Sequence, residues 1–178
     1  MKNSFHKQSY KELYYESKRE YIEIKKGGFS LAVIKARSAF GGYLLMNPLV
    51  TSKFIASLTT PITLFGFLAT NPEFTKRFTR LMIVQSADKI KPFFTNYDLT
   101  TNEKVKTFVI GTITTIFVNQ FKSFALPTIP GVQSVNIHEY IKKNVVAEIN
   151  QIKIDDKFAE IVVKFYNTAK EIVDAQLK

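Results

Sequence analysis

The sequence has no cysteine and only two histidines among its 178 residues. The lack of cysteine excludes disulfides, zinc sites built on thiolates and thiol nucleophiles. With His6 and His138 as the available imidazoles, a catalytic triad or a metal site is hard to assemble. His138-Glu139 begins like a zincin motif, but Lys142 stands where the second metal ligand would be. We therefore predict no metal site and no cofactor.

Phosphate-binding loops are also absent from the sequence. Neither G-x-x-x-x-G-K-[ST] nor G-x-G-x-x-G occurs, and the glycine pairs at 27–28 and 41–42 are interpreted as helix ends. The neighbouring carboxylates Asp155 and Asp156 are interpreted as a helix cap in preference to half of an acid–base pair. Carboxylates alone could still act as catalytic groups, yet no motif indicates this. The prediction is a non-enzymatic protein.

The charge of the chain is strongly positive, with a formal net value of +10. Residues 1–100 carry 15 Lys and Arg against 7 Asp and Glu, whereas residues 101–178 carry 10 against 8. All four arginines, the side chains suited to bidentate phosphate contact, lie in the first 80 residues. This distribution favours a polyanionic partner, either nucleic acid or an anionic membrane surface. A general bias toward lysine is the alternative.

Composition and patterning predict an all-α protein, a helical bundle with a basic N-terminal helix or helix-turn-helix arm. The hydrophobic content of 46% and aromatic content of 13% are typical of a globular domain. We assign residues 1–46 to the basic helical arm and residues 47–178 to a bundle responsible for core formation and self-association. Asn47-Pro48, Thr60-Pro61 and Asn71-Pro72 each predict a helix start, with a capping side chain before a proline at the first helical position.

Further helix boundaries follow from capping residues and breakers. Ser30 begins a helix that is expected to end at Phe40, before a glycine pair. The helix from Pro72 is expected to run to about Ile90 and to end at Pro92, followed by a loop. Thr100 and Glu103 have the form of a capping box. Residues 105–121 are rich in β-branched side chains, so a strand stays open, although their length favours a buried helix. Later starts are predicted at Asn136, for a helix to Ile149, and at Asp155 or Asp156, where Phe158, Val162, Phe165, Ala169 and Ile172 form an apolar stripe.

The stretch 54–72 is uncharged and approaches the length needed to span a bilayer. Pro61, several hydroxyl side chains and the terminal Asn71-Pro72 pair favour a buried helical hairpin over a transmembrane helix. Contact of this stretch with lipid, without crossing the membrane, stays open.

The first predicted helix, from Ser9 to about Lys26, separates its charges by face. On a helical wheel its basic residues lie within or beside a stripe roughly 40° wide. Its glutamates lie on the far side, whereas a merely soluble helix would mix charges in i,i+4 pairs. Lysines interleaved with tyrosines suit a phosphate backbone, because amines neutralise phosphates and phenols donate hydrogen bonds or pack on sugars. The residues of this face are Lys7, Lys11, Tyr14, Tyr15, Lys18, Arg19, Lys25 and Lys26.

A second basic cluster is expected on the helix that begins at Pro72. Lys76, Arg77 and Arg80 fall within roughly 100° of one another on the wheel, although Glu73 shares their face. Lys35 and Arg37 project to different sides of their shorter helix, so at most one of them faces the same partner. The second group of candidate nucleic-acid-binding residues is therefore Lys35, Arg37, Lys76, Arg77 and Arg80.

In the order of these parts, the chain resembles the major coat proteins of filamentous and rod-shaped archaeal viruses (lipothrixviruses and rudiviruses). The residues that carry the resemblance are Ser9 to Lys26, the Asn47-Pro48 and Asn71-Pro72 helix starts, and the basic cluster after them. The resemblance covers roughly the first 95 residues and is one of layout, without a diagnostic motif.

The resemblance implies a set of partners and a location. In that family the N-terminal helices wrap double-stranded DNA in the A form, and the bundles pack along a helical filament. Some members pair two related coat proteins, and some carry a lipid envelope. The expected partners are thus double-stranded DNA, copies of this chain or a paralogous coat protein, and envelope lipid. The 54–72 stretch would serve contacts either with other subunits or with lipid. The expected location is the virion, assembled in the host cytoplasm.

Two other functions stay open. The basic amphipathic helix could lie on anionic lipid, as in a membrane-associated or envelope protein. A plain helical interaction module with incidental charge is the third hypothesis. The leading hypothesis is a capsid subunit that coats DNA without sequence specificity.

Overall fold

The computed structural model describes residues 30–95, 97–119, 121 and 136–177. These residues are 86% helical and include no strand, which confirms the all-α prediction. The helices are α1 (Ser30–Met46), α2 (Pro48–Ser57), α3 (Pro61–Thr70), α4 (Pro72–Thr95), α5 (Asn102–Gly111), α6 (Ile137–Tyr140), α7 (Val146–Ile149) and α8 (Asp156–Gln176); π-helical turns at Thr112–Val118 and Ile141–Val145 continue α5 and join α6 to α7.

The chain divides into two compact units. The first comprises Met1–Ser52 with Leu126–Gln133, and the second comprises Lys53–Ala125 with Ser134–Lys178. The division therefore falls inside α2. The assignment of an arm to residues 1–46 and a bundle to residues 47–178 stays a prediction.

All three proline-initiated helices begin where predicted, at Pro48, Pro61 and Pro72. Thr60 caps α3 through its side chain, which accepts a hydrogen bond from the Thr63 amide at 3.2 Å. The asparagines before Pro48 and Pro72 are hydrogen-bond donors and do not cap the helix that follows. Their amide groups donate to carbonyls of the preceding helix, so the predicted starts are correct while the direction of these side-chain bonds was not foreseen.

The first described helix is longer than expected. α1 runs through Gly41 and Gly42 to Met46, so the predicted end at Phe40 is wrong. Phe40 and Leu44 are buried on either side of the glycine pair. Burial of apolar side chains outweighs the cost of glycine in a helix, which is about 1 kcal/mol per residue.

α4 also extends beyond its predicted end. The helix continues past Pro92 to Thr95, so the loop predicted from Pro92 is wrong there, and the actual interruption lies at Ser86, with φ −160° and ψ 59°. Phe93 and Phe94 are both buried. Burial of these two rings outweighs the breaking effect of proline on the helix.

The β-branched stretch 105–121 is helical over Asn102–Gly111 and π-helical over Thr112–Val118, which answers the helix-or-strand question in favour of helix. The cap of α5 is Thr101, whose side chain accepts from the Lys104 amide at 3.3 Å. Thr100 was the predicted cap, but its backbone amide donates a hydrogen bond to the Asp98 carboxylate at 3.2 Å. The predicted capping box of Thr100 and Glu103 is therefore wrong, and the N-cap lies one residue later, at Thr101.

The last helices agree with the predictions. Asn136 accepts from the Glu139 amide at 3.2 Å, and Asp155 accepts from the Phe158 amide at 2.7 Å, as expected for N-caps. α8 contacts α3, α4 and α5. The predicted stripe is buried in full, together with Tyr166 and Val173: Phe158, Val162, Phe165, Ala169 and Ile172.

Two groups of aromatic rings fill the core of the second unit. The first surrounds Phe78, whose ring centroid lies 5.0 Å from that of Phe117 and 5.2 Å from that of Phe121. The second surrounds Phe108, which lies 5.3 Å from Phe93 and 5.3 Å from Tyr166. Since α4 supplies rings to both groups, its two halves are held in different parts of the core.

The uncharged 54–72 stretch is divided between two helices, with α2 ending at Ser57 and α3 beginning at Pro61. Across the described ranges, no helix combines the length and the apolar character needed to cross a membrane.

Candidate nucleic-acid interface

The first half of α4 has a buried face and a basic face. Phe74, Thr75, Phe78 and Thr79 are all buried. The Phe74 ring lies 4.7 Å from the Phe54 ring, and the Phe78 ring stacks on Phe117. The helix is therefore fixed from one side by close aromatic packing.

The predicted second basic cluster lies on the other side of this helix. Arg77 and Arg80 are exposed and Lys76 is half-buried, so the structure brings these three residues together on one face of α4. Glu73 is exposed in the first turn, where a carboxylate is favoured by the positive end of the helix dipole. The face thus presents three cations and one carboxylate, and we call it the α4 basic face (Glu73, Lys76, Arg77 and Arg80).

The connection from α3 to α4 is closed by side-chain hydrogen bonds. The Asn71 amide group donates to the Phe67 carbonyl at 2.8 Å. The Thr75 hydroxyl donates to the Leu68 carbonyl, also at 2.8 Å, and this threonine is fully buried. Both carbonyls belong to the last turn of α3, so α4 is bonded directly to the end of the helix before it.

Lys35 and Arg37 lie on α1, in the first unit of the chain. Lys35 is exposed and Arg37 is half-buried. The α4 basic face belongs to the second unit, so these two residues form a separate part of the predicted set.

The remaining predicted contacts belong to the basic face of the first predicted helix. They lie outside the described residues, as does the helix itself, and they stay a prediction: Lys7, Lys11, Tyr14, Tyr15, Lys18, Arg19, Lys25 and Lys26.

Two ion pairs away from the α4 basic face show how other lysines are used. The Lys104 ammonium lies 2.7 Å from Asp98, and its hydrogen bond, followed by that of the Thr100 side chain, lowers the pKa of that carboxyl group. Lys170 bonds to Asp174 one helical turn later, and this contact raises the pKa of the lysine. The i,i+4 spacing of Lys170 and Asp174 is a signal that sequence analysis could have used.

His138 has a structural contact. Its Nδ1 atom is hydrogen-bonded to the Val118 carbonyl, which joins α6 to the π-helical end of α5. In the part of the chain that the structure describes, no three His, Cys, Asp or Glu side chains are grouped closely enough to hold a metal ion.

Comparison of the chain with protein-family models, with curated proteins and with solved structures finds no match. The chemistry and geometry of its own residues are therefore the basis for assigning a function.

Proposed function

We propose that this protein is a structural capsid subunit, which coats double-stranded DNA without sequence specificity and self-assembles into a helical filament. The observation that carries the proposal is the α4 basic face, where Lys76, Arg77 and Arg80 lie side by side on a helix that is anchored from behind. Virion, DNA and coat-protein partners belong to this proposal.

The chemistry of the α4 basic face fits a phosphate backbone better than a base sequence. Arginine and lysine neutralise phosphates and release counterions, which gives affinity that does not depend on the bases. Arg77 and Arg80 add the planar donor geometry that matches phosphate oxygens in pairs. A subunit that must cover any part of a genome requires contacts of this kind.

The rigidity of α4 also supports the proposal. A binding face is effective when the side chains beneath it are locked by packing, because less order must then be created on binding. Phe74 and Phe78 are at most 2% exposed and lie in an aromatic group, while the Thr75 hydroxyl donates to the Leu68 carbonyl of α3. The cations are therefore presented by a preorganised helix.

Self-assembly is the second part of the proposal. Large apolar side chains on the surface are available for contacts between subunits, and Leu49 is the clearest example at 68% exposed. Met46, at 43% exposed, lies three residues before it. Apolar contacts of this kind would add to DNA binding by neighbouring copies along a filament.

The test is duplex binding measured across a range of salt concentrations, with two duplexes of unrelated sequence. We expect similar affinities for both, and a loss of about 0.9 log units of affinity per log unit of salt for each phosphate neutralised. Electron microscopy of the mixture should show regular filaments. A flat response to salt, or binding to anionic vesicles with none to DNA, would contradict the proposal and favour the membrane-surface function.

A further inference from the structure

The connection between α3 and α4 has a counterpart earlier in the chain. The pattern Asn-Pro-x-x-Thr occurs at residues 47–51 and again at residues 71–75. Each copy lies between two helices, α1 and α2 in the first case and α3 and α4 in the second. The two copies belong to different units of the chain, and we refer to each as an Asn-Pro junction.

The two Asn-Pro junctions share two side-chain hydrogen bonds, and Thr51 donates in addition to the Asn47 carbonyl at 3.1 Å. In each, the asparagine amide donates to the carbonyl four residues earlier, at 2.8 Å in both cases. In each, the threonine hydroxyl donates to the carbonyl seven residues earlier, at 3.1 Å for Thr51 and 2.8 Å for Thr75. Both threonines are completely buried.

These bonds satisfy carbonyl groups at the end of a helix. The last carbonyls of a helix lack partners within it, and water normally satisfies them when the chain turns. Here the side chains of the next segment replace that water. At the second junction, the buried Thr75 hydroxyl also resists rotation of α4 relative to α3, since rotation would break its bond to the Leu68 carbonyl. At the first junction, the Leu44 carbonyl also accepts from the Asn47 amide, at 3.2 Å.

The third helix connection in this region is built differently. Between α2 and α3, the Thr63 hydroxyl donates to the Ser57 carbonyl at 2.7 Å, and Thr60 and Thr63 form a capping box. Thr60 is half-buried and Thr63 is exposed. The buried threonine seven residues after its acceptor is thus specific to the Asn-Pro junctions.

We propose that Asn71 and Thr75 are positioning residues, which fix the direction of α4 and so hold Lys76, Arg77 and Arg80 in place for phosphate contact. This inference rests on the proposed function. Thr75 stands one residue before Lys76 on the same helix, with its side chain on the buried face. Any change in the angle between α3 and α4 displaces the α4 basic face from this point onward.

The test uses Thr75→Val, which keeps the shape of the side chain and removes the hydroxyl, beside Thr75→Ser, which keeps the hydroxyl. We expect Thr75→Val to lower DNA affinity about tenfold, the order of one lost phosphate contact. It should also lower Tm by about 5 °C, because a buried carbonyl loses its partner. Thr75→Ser should retain most of the DNA affinity.

Thr79→Val is the matched control. Thr79 is also buried on α4, at 4% exposed, but its hydroxyl donates to the Thr75 carbonyl within the same helix. This variant should lose stability while DNA affinity stays within about twofold of the parent. Equal losses of affinity in Thr75→Val and Thr79→Val would overturn the proposal, since loss of a buried hydroxyl alone would then explain both.

A second measurement does not depend on DNA. Because the sequence has no cysteine, Ile62→Cys with Arg80→Cys places spin labels only on α3 and α4. We expect Thr75→Val to shift or broaden the distance distribution between the labels, and Thr79→Val and Thr51→Val to leave it unchanged. An unchanged distribution in Thr75→Val overturns the inference. If the parent chain binds no DNA, the proposed function fails, and the label distances still decide whether the junction directs α4.

Asn71→Asp distinguishes two roles of Asn71: capping α4 as an acceptor, and donating to the Phe67 carbonyl of α3. Aspartate is as good an N-cap as asparagine, so a simple capping role predicts no loss. Back-donation to the Phe67 carbonyl predicts a loss, because the carboxylate has no donor and would face a carbonyl oxygen. We expect a lower Tm and a changed label distance. Unchanged values would overturn the role of Asn71.

Discussion

α4 and α8 pack against each other in the core of the second unit, yet their outer faces follow different charge patterns. α8 alternates exposed lysine and glutamate, at Lys157, Glu160, Lys164 and Glu171. The first half of α4 groups Lys76, Arg77 and Arg80, with Glu73 at its start. Both helices have a buried apolar face, but the arrangement of charges on their exposed faces differs.

The difference concerns how the charges of each outer face are arranged. Alternating charges three or four residues apart compensate one another, as the Lys170–Asp174 pair on α8 shows directly. Grouped cations repel each other, and an approaching polyanion relieves that repulsion. The proposed function assigns DNA contact to the α4 basic face and none to the outer face of α8.

The largest effect is expected from reversing charge on the two helices separately. Arg77→Glu with Arg80→Glu should lower DNA affinity about 100-fold at moderate salt, because two phosphate contacts become repulsive. Lys157→Glu with Lys164→Glu changes the net charge of the chain by the same amount. It should lower DNA affinity no more than about threefold. The measurement is fluorescence anisotropy at two salt concentrations, with circular dichroism to confirm that both variants keep their helicity. Equal losses would show that net charge, and not the α4 basic face, controls binding.

The second effect concerns the end of α4 beyond its kink. A Cβ atom on Gly111 of α5 would lie 2.9 Å from the Phe93 ring, whereas one on Gly66 of α3 would meet nothing within 4 Å. Gly111→Ala should therefore lower the free energy of unfolding by about 1–3 kcal/mol through overpacking. Gly66→Ala should raise it by about 0.5–1 kcal/mol, as expected for alanine in a helix. Urea denaturation measures both. Stabilisation by Gly111→Ala would mean that the contact with Phe93 is not restrictive.

The third effect concerns the hydrogen bond between α8 and α4. The Tyr166 hydroxyl on α8 donates to the Phe94 carbonyl on α4 at 2.7 Å. Tyr166→Phe should cost about 1–2 kcal/mol of unfolding free energy at pH 7, because the carbonyl loses its partner. Chemical denaturation of the parent and the variant gives this difference. No loss would show that the bond adds nothing to the packing of α4 on α8.

The same tyrosine predicts a dependence on alkaline pH. Burial raises the pKa of Tyr166 above its ordinary value of 10.0. The neutral phenol is thus favoured in the folded chain, so its contribution is complete below pH 10 and is lost as pH rises through the higher folded pKa. The loss of stability on raising the pH through this range should be smaller in Tyr166→Phe than in the parent. Identical slopes in the two proteins would assign the alkaline loss to other groups.

The smallest effect concerns the side chains at the N-terminal ends of α8 and α4. α8 begins with a side-chain acceptor on Asp155, whereas the Asn71 side chain before α4 donates to the preceding helix. Asp155→Ala should cost about 1 kcal/mol of unfolding free energy, and Asp155→Asn, which keeps an acceptor, much less. Thermal unfolding of the two variants checks this. Equal losses would show that the charge of Asp155, and not its acceptor, stabilises α8.

Local signals in the sequence predicted helix starts well. A proline at the first helical position, or an acceptor side chain just before a helix, acts over a few residues. Pro48, Pro61 and Pro72 and the caps Asn136 and Asp155 could therefore be identified without tertiary information. The buried stripe of α8 was equally accessible, because its period is a property of one helix.

Helix ends and breaks were predicted less well, for a reason common to both errors. Gly42 and Pro92 weaken a helix by about 1 to 3 kcal/mol. Burial of Phe40 and Leu44 around the first, and of Phe93 and Phe94 beyond the second, offsets that cost. No local pattern shows that such packing is available.

The candidate site also has one part that the sequence predicts and one part that it does not. The grouping of Lys76, Arg77 and Arg80 on one face was readable from their spacing, since 100° per residue places them together on any α-helix. Composition and capping likewise sufficed for the all-α class. The direction of that face was not readable, because it depends on Asn71 and Thr75 bonding back to α3 and on rings from distant segments packing behind α4. Those contacts exist only once the helices have come together.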